Sequence, residues 1–261
     1  MSDLLAADVG NSATKVGLFQ GARLRLHLTF PTEQASAAAI RRILDRSFRE
    51  KGQSLSAARD LALCTVVPDA AKMWRQVAGL LGARIFFIKG DTPTPLRSAY
   101  RKPTALGPDR LAAAVGAAHI CGAPVIVVNF GTATTVDAVS ADGRFLGGAI
   151  CLGMGAALNA LSSATSLLPR VAASKAATPI GRDTRESILA GSFFGTIGQV
   201  NEIVARQRAL LGQDTPVVAT GGFARLIARH IRGPVLIRPT LTLQGISLIW
   251  RHNQPPRKSS R

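Results

Sequence analysis

The chain predicts an α/β protein whose two halves are built on one plan. One turn occurs twice: AADVGNSATKVGLF (Ala6–Phe19) and VNFGTATTVDAV (Val128–Val139) each run an apolar strand into an acid or its amide, then a Gly, small polar residues and a second β-type run. Each turn is followed by a third strand-like run, and after it helical periodicity alternates with short apolar strands. Two stretches of that grammar imply duplicated α/β domains, 1–122 and 123–261, the second ending in a basic tail at 254–261.

The elements follow in order. Leu4–Val9 and Thr14–Gln20 are strands joined by a tight Gly-Asn-Ser turn, and Ala22–Phe30 is a third. A helix is expected from Thr32 or Glu33, because Ala37, Ile40, Ile43, Leu44 and Phe48 recur at helical spacing. Leu61–Val66 and Arg84–Lys89 are strands on either side of a helix over 69–82. The Pro-rich stretch DTPTPLRSAYRKPTALGPDR reads as a long functional loop, and Ala-rich Leu111–Cys121 as a helix. In the second half, Pro124–Asn129, Thr132–Val139 and Arg144–Cys151 are strands, with a hairpin turn at 141–143. Helices are expected near 154–167 and 185–211, then a strand at Pro216–Thr220, a helix to about 231, a strand at Pro234–Arg238 and a closing helix over Leu241–His252.

Composition narrows the function classes. Of 261 residues, 47% are hydrophobic, so the chain can bury a real core. Its longest apolar runs, such as PVIVVNF, are too short to span a bilayer, and MSDLLAADVG does not read as a signal peptide. No membrane association and a cytoplasmic location are therefore expected. Cys64, Cys121 and Cys151 have no CxxC spacing and lie in apolar surroundings, which predicts buried, reduced, structural thiols. The net charge of +17 is dispersed at helical spacing rather than gathered in runs, and one Tyr and two Trp give no platform for bases. Specific nucleic-acid binding is not expected; a general attraction for anions is.

The repeated turn suits phosphate chemistry. Gly lets the backbone approach an anion, successive N–H groups form a nest, and Ser and Thr hydroxyls add donors. An Asp just before the turn is a hard oxygen ligand for Mg²⁺. Two such turns facing each other across an interdomain cleft would grip an ATP polyphosphate from both sides. ATGGFA (Ala219–Ala224) adds a strand end, a Gly pair and a helix start, where a flat ring has room to pass the backbone or where the chain simply turns tightly.

DVGNSATK, YRKPTALGPDR, NFGTATTVDAV, FLGGAICLGMGAALNALSSATSLLP, IGRDTRESILAG and ATGGFA occur in this order across about residues 4–250. Together they resemble the type III pantothenate kinases of the acetate kinase/sugar kinase/Hsp70/actin superfamily. The resemblance implies two duplicated ribonuclease H-like (actin-like ATPase) domains with an interdomain ATP cleft, and transfer of the ATP γ-phosphate to pantothenate, the first step of coenzyme A synthesis. It implies Mg²⁺ organised by Asp8, with Gly10, Asn11, Ser12 and Lys15 lining the polyphosphate. Gly131, Thr132, Ala133, Thr134 and Thr135 match the second phosphate turn, and Gly221 and Gly222 the adenosine site. Asp109 matches the general base, and Tyr100, Gly107, Pro108 and Arg110 the pantothenate-contacting residues. Unaided, Asp109 reads first as a helix cap, and Arg110 as its structural partner; the resemblance reverses that order. Thr184 matches a threonine that reaches the substrate pocket across a homodimer interface.

Asn129 departs from the pattern. The family usually has Asp there, helping to hold K⁺ or NH₄⁺ beside the nucleotide, and Asn keeps an acceptor but loses the charge. Weaker monovalent-cation dependence, or reduced activity, is expected. The alternative reading is a non-catalytic regulatory or nucleic-acid-associated protein that retains the kinase fold, favoured by the charge and Asn129 and opposed by Asp8 and Asp109.

Overall fold

A computed structural model describes residues 3–33, 36–55 and 58–255, so most of the basic tail lies outside the described residues. The chain divides into two compact units: the described residues of Met1–Gly116 with those of Thr240–Arg261, and Ala117–Pro239. The sequence reading keeps everything beyond residue 122 together; the contacts instead assign the closing helix to the first unit.

In the first unit the strands are β1 (Asp3–Val9), β2 (Ala13–Gln20), β3 (Arg23–Pro31), β4 (Ala58–Thr65) and β5 (Arg84–Ile88), in sheet order β3-β2-β1-β4-β5. β1 is antiparallel to β2 and parallel to β4. As a central strand it buries Leu4 to Ala7 on both faces. β3 lies at the edge and turns Arg23, Arg25, His27 and Thr29 outward, charges that discourage strand addition. α1 (Ala37–Arg49) and α2 (Ala70–Leu81) cover the sheet with Ile40, Leu44, Phe48 and Trp74.

α1 begins later than its periodicity predicts. Thr32 is tied to the first turn through its N–H to Ser12 O and its hydroxyl to Gly10 O. Ser36 is the residue that caps the helix, accepting from Ala39 N–H at 3.2 Å. The Pro-rich stretch contains a two-residue strand, β6 (Arg97–Ser98), and a single 3₁₀ turn at Pro103–Ala105. α3 (Pro108–Cys121) starts three residues before the expected Leu111, with Pro at its first position, where no N–H is needed. The closing helix α7 (Leu241–His252) buries Leu241, Leu243, Ile246 and Ile249. It approaches α3 backbone to backbone: a side chain at Gly245 would sit 1.7 Å from Ala112 O, and one at Gly116 would sit 2.7 Å from Leu241 O.

In the second unit, β7 (Val125–Phe130), β8 (Ala133–Val139), β9 (Arg144–Leu152), β10 (Val217–Thr220) and β11 (Val235–Ile237) run in the order β9-β8-β7-β10-β11. The pattern of antiparallel and parallel pairs repeats that of the first sheet. The β8–β9 hairpin closes as expected, with Gly143 at φ 74°. α4 (Met154–Ala164) and α5 (Thr184–Leu211) pack Leu158, Ile188, Phe193, Val200 and Val204 into one core with Ile126 and Val128. The helix expected up to 231 is broken: α6 spans only Ala224–Ile227 and a 3₁₀ turn completes it. By length and hydropathy α5 alone among the described helices could cross a membrane, and a third of that apolar stretch is buried in the protein. All three cysteines are free, but only Cys64 is fully buried; Cys121 at the end of α3 and Cys151 near the end of β9 are half-exposed.

Candidate active site

The end of β1 gathers the first group of expected residues. Asp8 lies opposite Lys15 on β2 and Cys64 on β4 in the strand register, which puts three side chains on one face. Beyond Asp8 the turn closes with Gly10 N–H to Ala13 O at 3.1 Å, leaving Asn11 and Ser12 exposed at its tip. Two hydroxyls brace it from beneath: Thr32 donates to Gly10 O at 2.7 Å and lies 3.0 Å from the Thr14 hydroxyl.

Asp109 joins this group electrostatically. Burial pushes the Asp8 carboxyl up from 3.8 to about 6; Lys15 pulls it down and Asp109 pushes it further up. Burial also raises Asp109, against the backbone N–H groups of Arg110 and of Asp109 itself and the charges of Arg110 and Lys15. The two carboxyls repel each other and the one charge of Lys15 offsets both, so negative charge gathers at the end of β1. Cys64, raised by burial and then by both carboxylates, stays a protonated thiol and is no nucleophile.

Asp109 is the second residue of α3 rather than the residue capping it, since Arg110 and Leu111 N–H both reach Gly107 O. The bare Gly107 leaves the carboxylate its place: a Cβ would lie 2.7 Å from Asp109 Oδ1 and displace it. Arg110 is only 6% exposed, and its guanidinium carbon lies 5.8 Å from the Tyr100 ring centroid, within cation–π range.

The loop carrying Tyr100 is anchored by two residues that the sequence does not single out. A side chain at Gly90 would meet Leu106 O at 2.2 Å and Pro103 O at 2.3 Å, so the loop folds back on the end of β5 only because that position is bare. Asn253, just after α7, donates its amide to Pro93 O at 2.9 Å. The one signal for Gly90 is a Gly closing an apolar strand; Asn253 carries none.

In the second unit the corresponding turn is tighter. Gly131 N–H reaches Ala133 O at 3.1 Å, so a single residue, Thr132, forms the tip. Asn129 stands opposite Thr135 on β8 and Thr220 on β10. Thr132 and Ala133 are exposed, whereas Thr134, expected to line the polyphosphate, is 1% exposed. Gly221, at φ 97°, lies so close to β7 that a Cβ would fall 2.4 Å from Phe130 O and 2.6 Å from Asn129 Oδ1, while Gly222 faces open space. Gly153, unnoticed in the sequence, starts α4 against the turn: its N–H reaches Thr132 O, and a Cβ would fall 2.3 Å from Gly131 O.

Thr184 opens α5 and is exposed. Its neighbours form a reciprocal cap, Glu186 N–H to Asp183 Oδ1 and Arg182 N–H to Glu186 Oε2, both at 2.8 Å. Among the described residues, no three or more His, Cys, Asp or Glu are grouped so as to hold a metal ion.

Comparison with known proteins places the chain in a family. Residues 4–206 match the family described as type III pantothenate kinase. Type III pantothenate kinases of Moorella thermoacetica and Myxococcus xanthus are 35% and 37% identical over 252 residues, covering 96% of this chain and 99% and 98% of theirs. Among solved structures, component A of the (R)-2-hydroxyglutaryl-CoA dehydratase of Acidaminococcus fermentans is similar in fold, with a TM-score of 0.55 at 13% identity over 96% of this chain and 97% of that one. So is the ethanolamine utilization protein EutJ of Carboxydothermus hydrogenoformans, with a TM-score of 0.55 at 15% identity over 94% of this chain and 89% of that one. Since the family match spans most of the chain and the relatives align almost end to end, the chain belongs to the type III pantothenate kinase family.

Proposed function

We propose that the protein transfers the γ-phosphoryl group of ATP to the primary hydroxyl of pantothenate, giving 4'-phosphopantothenate. The observation that carries this is the half-buried Asp109, held at the start of α3 by backbone N–H groups within electrostatic reach of Asp8 and Lys15. Phosphoryl transfer asks the protein for alignment, charge neutralisation and a proton acceptor. Asp109 accepts the hydroxyl proton as the new O–P bond forms, and ADP leaves with the electron pair of the broken bond. Tyr100 and Arg110 orient pantothenate, Arg110 pairing with its carboxylate. Gly107 keeps the backbone beside Asp109 free of bulk, and Pro108 sets the first turn of α3.

ATP engages the first turn through Gly10, Asn11, Ser12 and Lys15, the second through Gly131, Thr132 and Ala133, with its adenosine at Gly221 and Gly222. Asp8 fits Mg²⁺: it is a hard oxygen donor whose negative charge is poorly solvated and repelled by Asp109. Mg²⁺ would supply neutralisation of the polyphosphate charge. Asn129 offers a monovalent cation only a neutral amide oxygen, so dependence on K⁺ or NH₄⁺ is weak. Thr184, exposed on α5, serves the substrate site of a second copy in a cytoplasmic homodimer.

The test incubates purified protein with ATP, Mg²⁺ and pantothenate, with and without K⁺ or NH₄⁺, beside the Asp109→Asn variant. Phosphopantothenate should form with the native protein and fall by about 100-fold or more with the variant. Absence of product under every cation condition removes the reading, and undiminished activity in the variant removes Asp109 as the base.

A further inference from the structure

A cavity of about 430 Å³ opens in the second unit, lined by Gly155, Leu158 and Asn159 of α4, Arg170 and Val171 of the following extended segment, and Arg185 in the first turn of α5. Its volume is that of a small-molecule site. Leu158 and Val171 are 2% and 8% exposed and form an apolar floor held by the core, while Arg170, Arg185 and Asn159 are exposed.

Among the described residues some surface arginines are neutralised and others, such as Arg42, Arg49 and Arg225, are not. Arg41, Arg46, Arg84, Arg144 and Arg206 each pair with a carboxylate. Arg170 and Arg185 make no hydrogen bond or ion pair among the described residues. No Asp or Glu occurs from Gly143 to Arg182. The nearest acids in sequence, Asp183 and Glu186, are engaged by the backbone N–H groups that cap α5. Two guanidinium forks, an amide and no lining carboxylate suit a phosphate dianion, and the apolar floor suits a short aliphatic body attached to it.

We propose that this cavity binds a small organic phosphate monoester, with Arg170 and Arg185 on the phosphate and Leu158 and Val171 under its aliphatic part. The site is separate from the phosphate turns and from Asp109, none of whose residues line it.

Calorimetric titration of the full chain with butyl phosphate, inorganic phosphate and butanol tests this. Butyl phosphate should bind saturably and at least about fivefold more tightly than inorganic phosphate, because the floor removes its methylene groups from water. Arg170→Gln and Arg185→Gln should each weaken it by about tenfold, and Arg185→Lys by less. Saturating ATP or pantothenate should leave the affinity unchanged. Circular dichroism shows whether each variant is folded, and the Lys variant, which retains the charge, serves if the Gln variant is not. The proposal is overturned by absence of saturable binding, by equal binding of butanol, by unaltered affinity in the folded double Gln variant, or by displacement with ATP or pantothenate.

Discussion

The two Gly turns occupy the same place in two sheets of the same strand order, yet they are chemically opposite. At the first, Asp8 faces Lys15 and lies within reach of a second carboxyl, Asp109; at the second, Asn129 faces Thr135. The first turn has two residues at its tip and a hydroxyl brace beneath, the second has one residue and a glycine helix start pressed against it. On the proposed reading, a charged turn and a neutral, tightly wedged one divide the work: the first would organise charge and the second fix position.

The sharpest way to break this contrast is to make the first turn like the second. Asp8→Asn should lower activity by about 100- to 1,000-fold, as expected when an electrostatic partner of the reacting charge is removed, measured as phosphopantothenate formed at saturating Mg²⁺. The same change should stabilise the metal-free protein at neutral pH. In the fold Asp8 keeps its proton up to about pH 6, whereas the unfolded chain releases it near 3.8. The stability this group contributes is therefore complete below 3.8 and lost as pH rises through about 6. That loss amounts to at most about 3 kcal/mol. Denaturant unfolding at pH 5 and pH 8 should show this slope in the native protein and a much smaller one in the variant; equal slopes would mean Asp8 is not desolvated.

The glycines test whether each turn has its own support. Gly90→Ala forces a methyl against two carbonyl oxygens under the Tyr100 loop, and should raise KM for pantothenate by about tenfold or more while KM for ATP changes little. Gly153→Ala, which crowds the second turn, should do the reverse. Equal effects on both substrates in both variants would dissolve the division. A smaller effect is expected from Asn129→Asp: it gives the second turn an acid, and rate stimulation by K⁺ should rise a few-fold over the native protein. The smallest comes from Thr32→Val, which removes the hydroxyl under Gly10 and should cost about 1 kcal/mol in unfolding free energy with little change in rate.

Much of this was legible in the sequence because it is local. Strand–turn–strand units, the hairpin at Gly143 and the periodic helices are written in neighbouring residues, and so are the motifs carrying Asp8, Asp109 and Gly221. What escaped depends on remote partners. The start of α1 is fixed by Thr32 reaching back to Gly10, more than twenty positions away in sequence. Gly90, Gly153 and Gly245 look like ordinary small residues until the carbonyls that crowd them are placed. The pairing of Asp8 with Cys64 comes from a parallel register that no local pattern encodes. The apolar stripe of α7 announces a buried face without naming the sheet that buries it.

That last helix has a consequence for how the protein is made. The first unit takes its strands from the beginning of the chain and α7 from its end, with the whole second unit synthesised in between. A ribosome must therefore translate the whole second unit before the first sheet receives Leu243, Ile246 and Ile249. Until then the nascent chain carries an incompletely covered sheet, the kind of surface chaperones hold. A message cut short before codon 241 would yield a second unit complete in sequence joined to a first unit that lacks one of its layers.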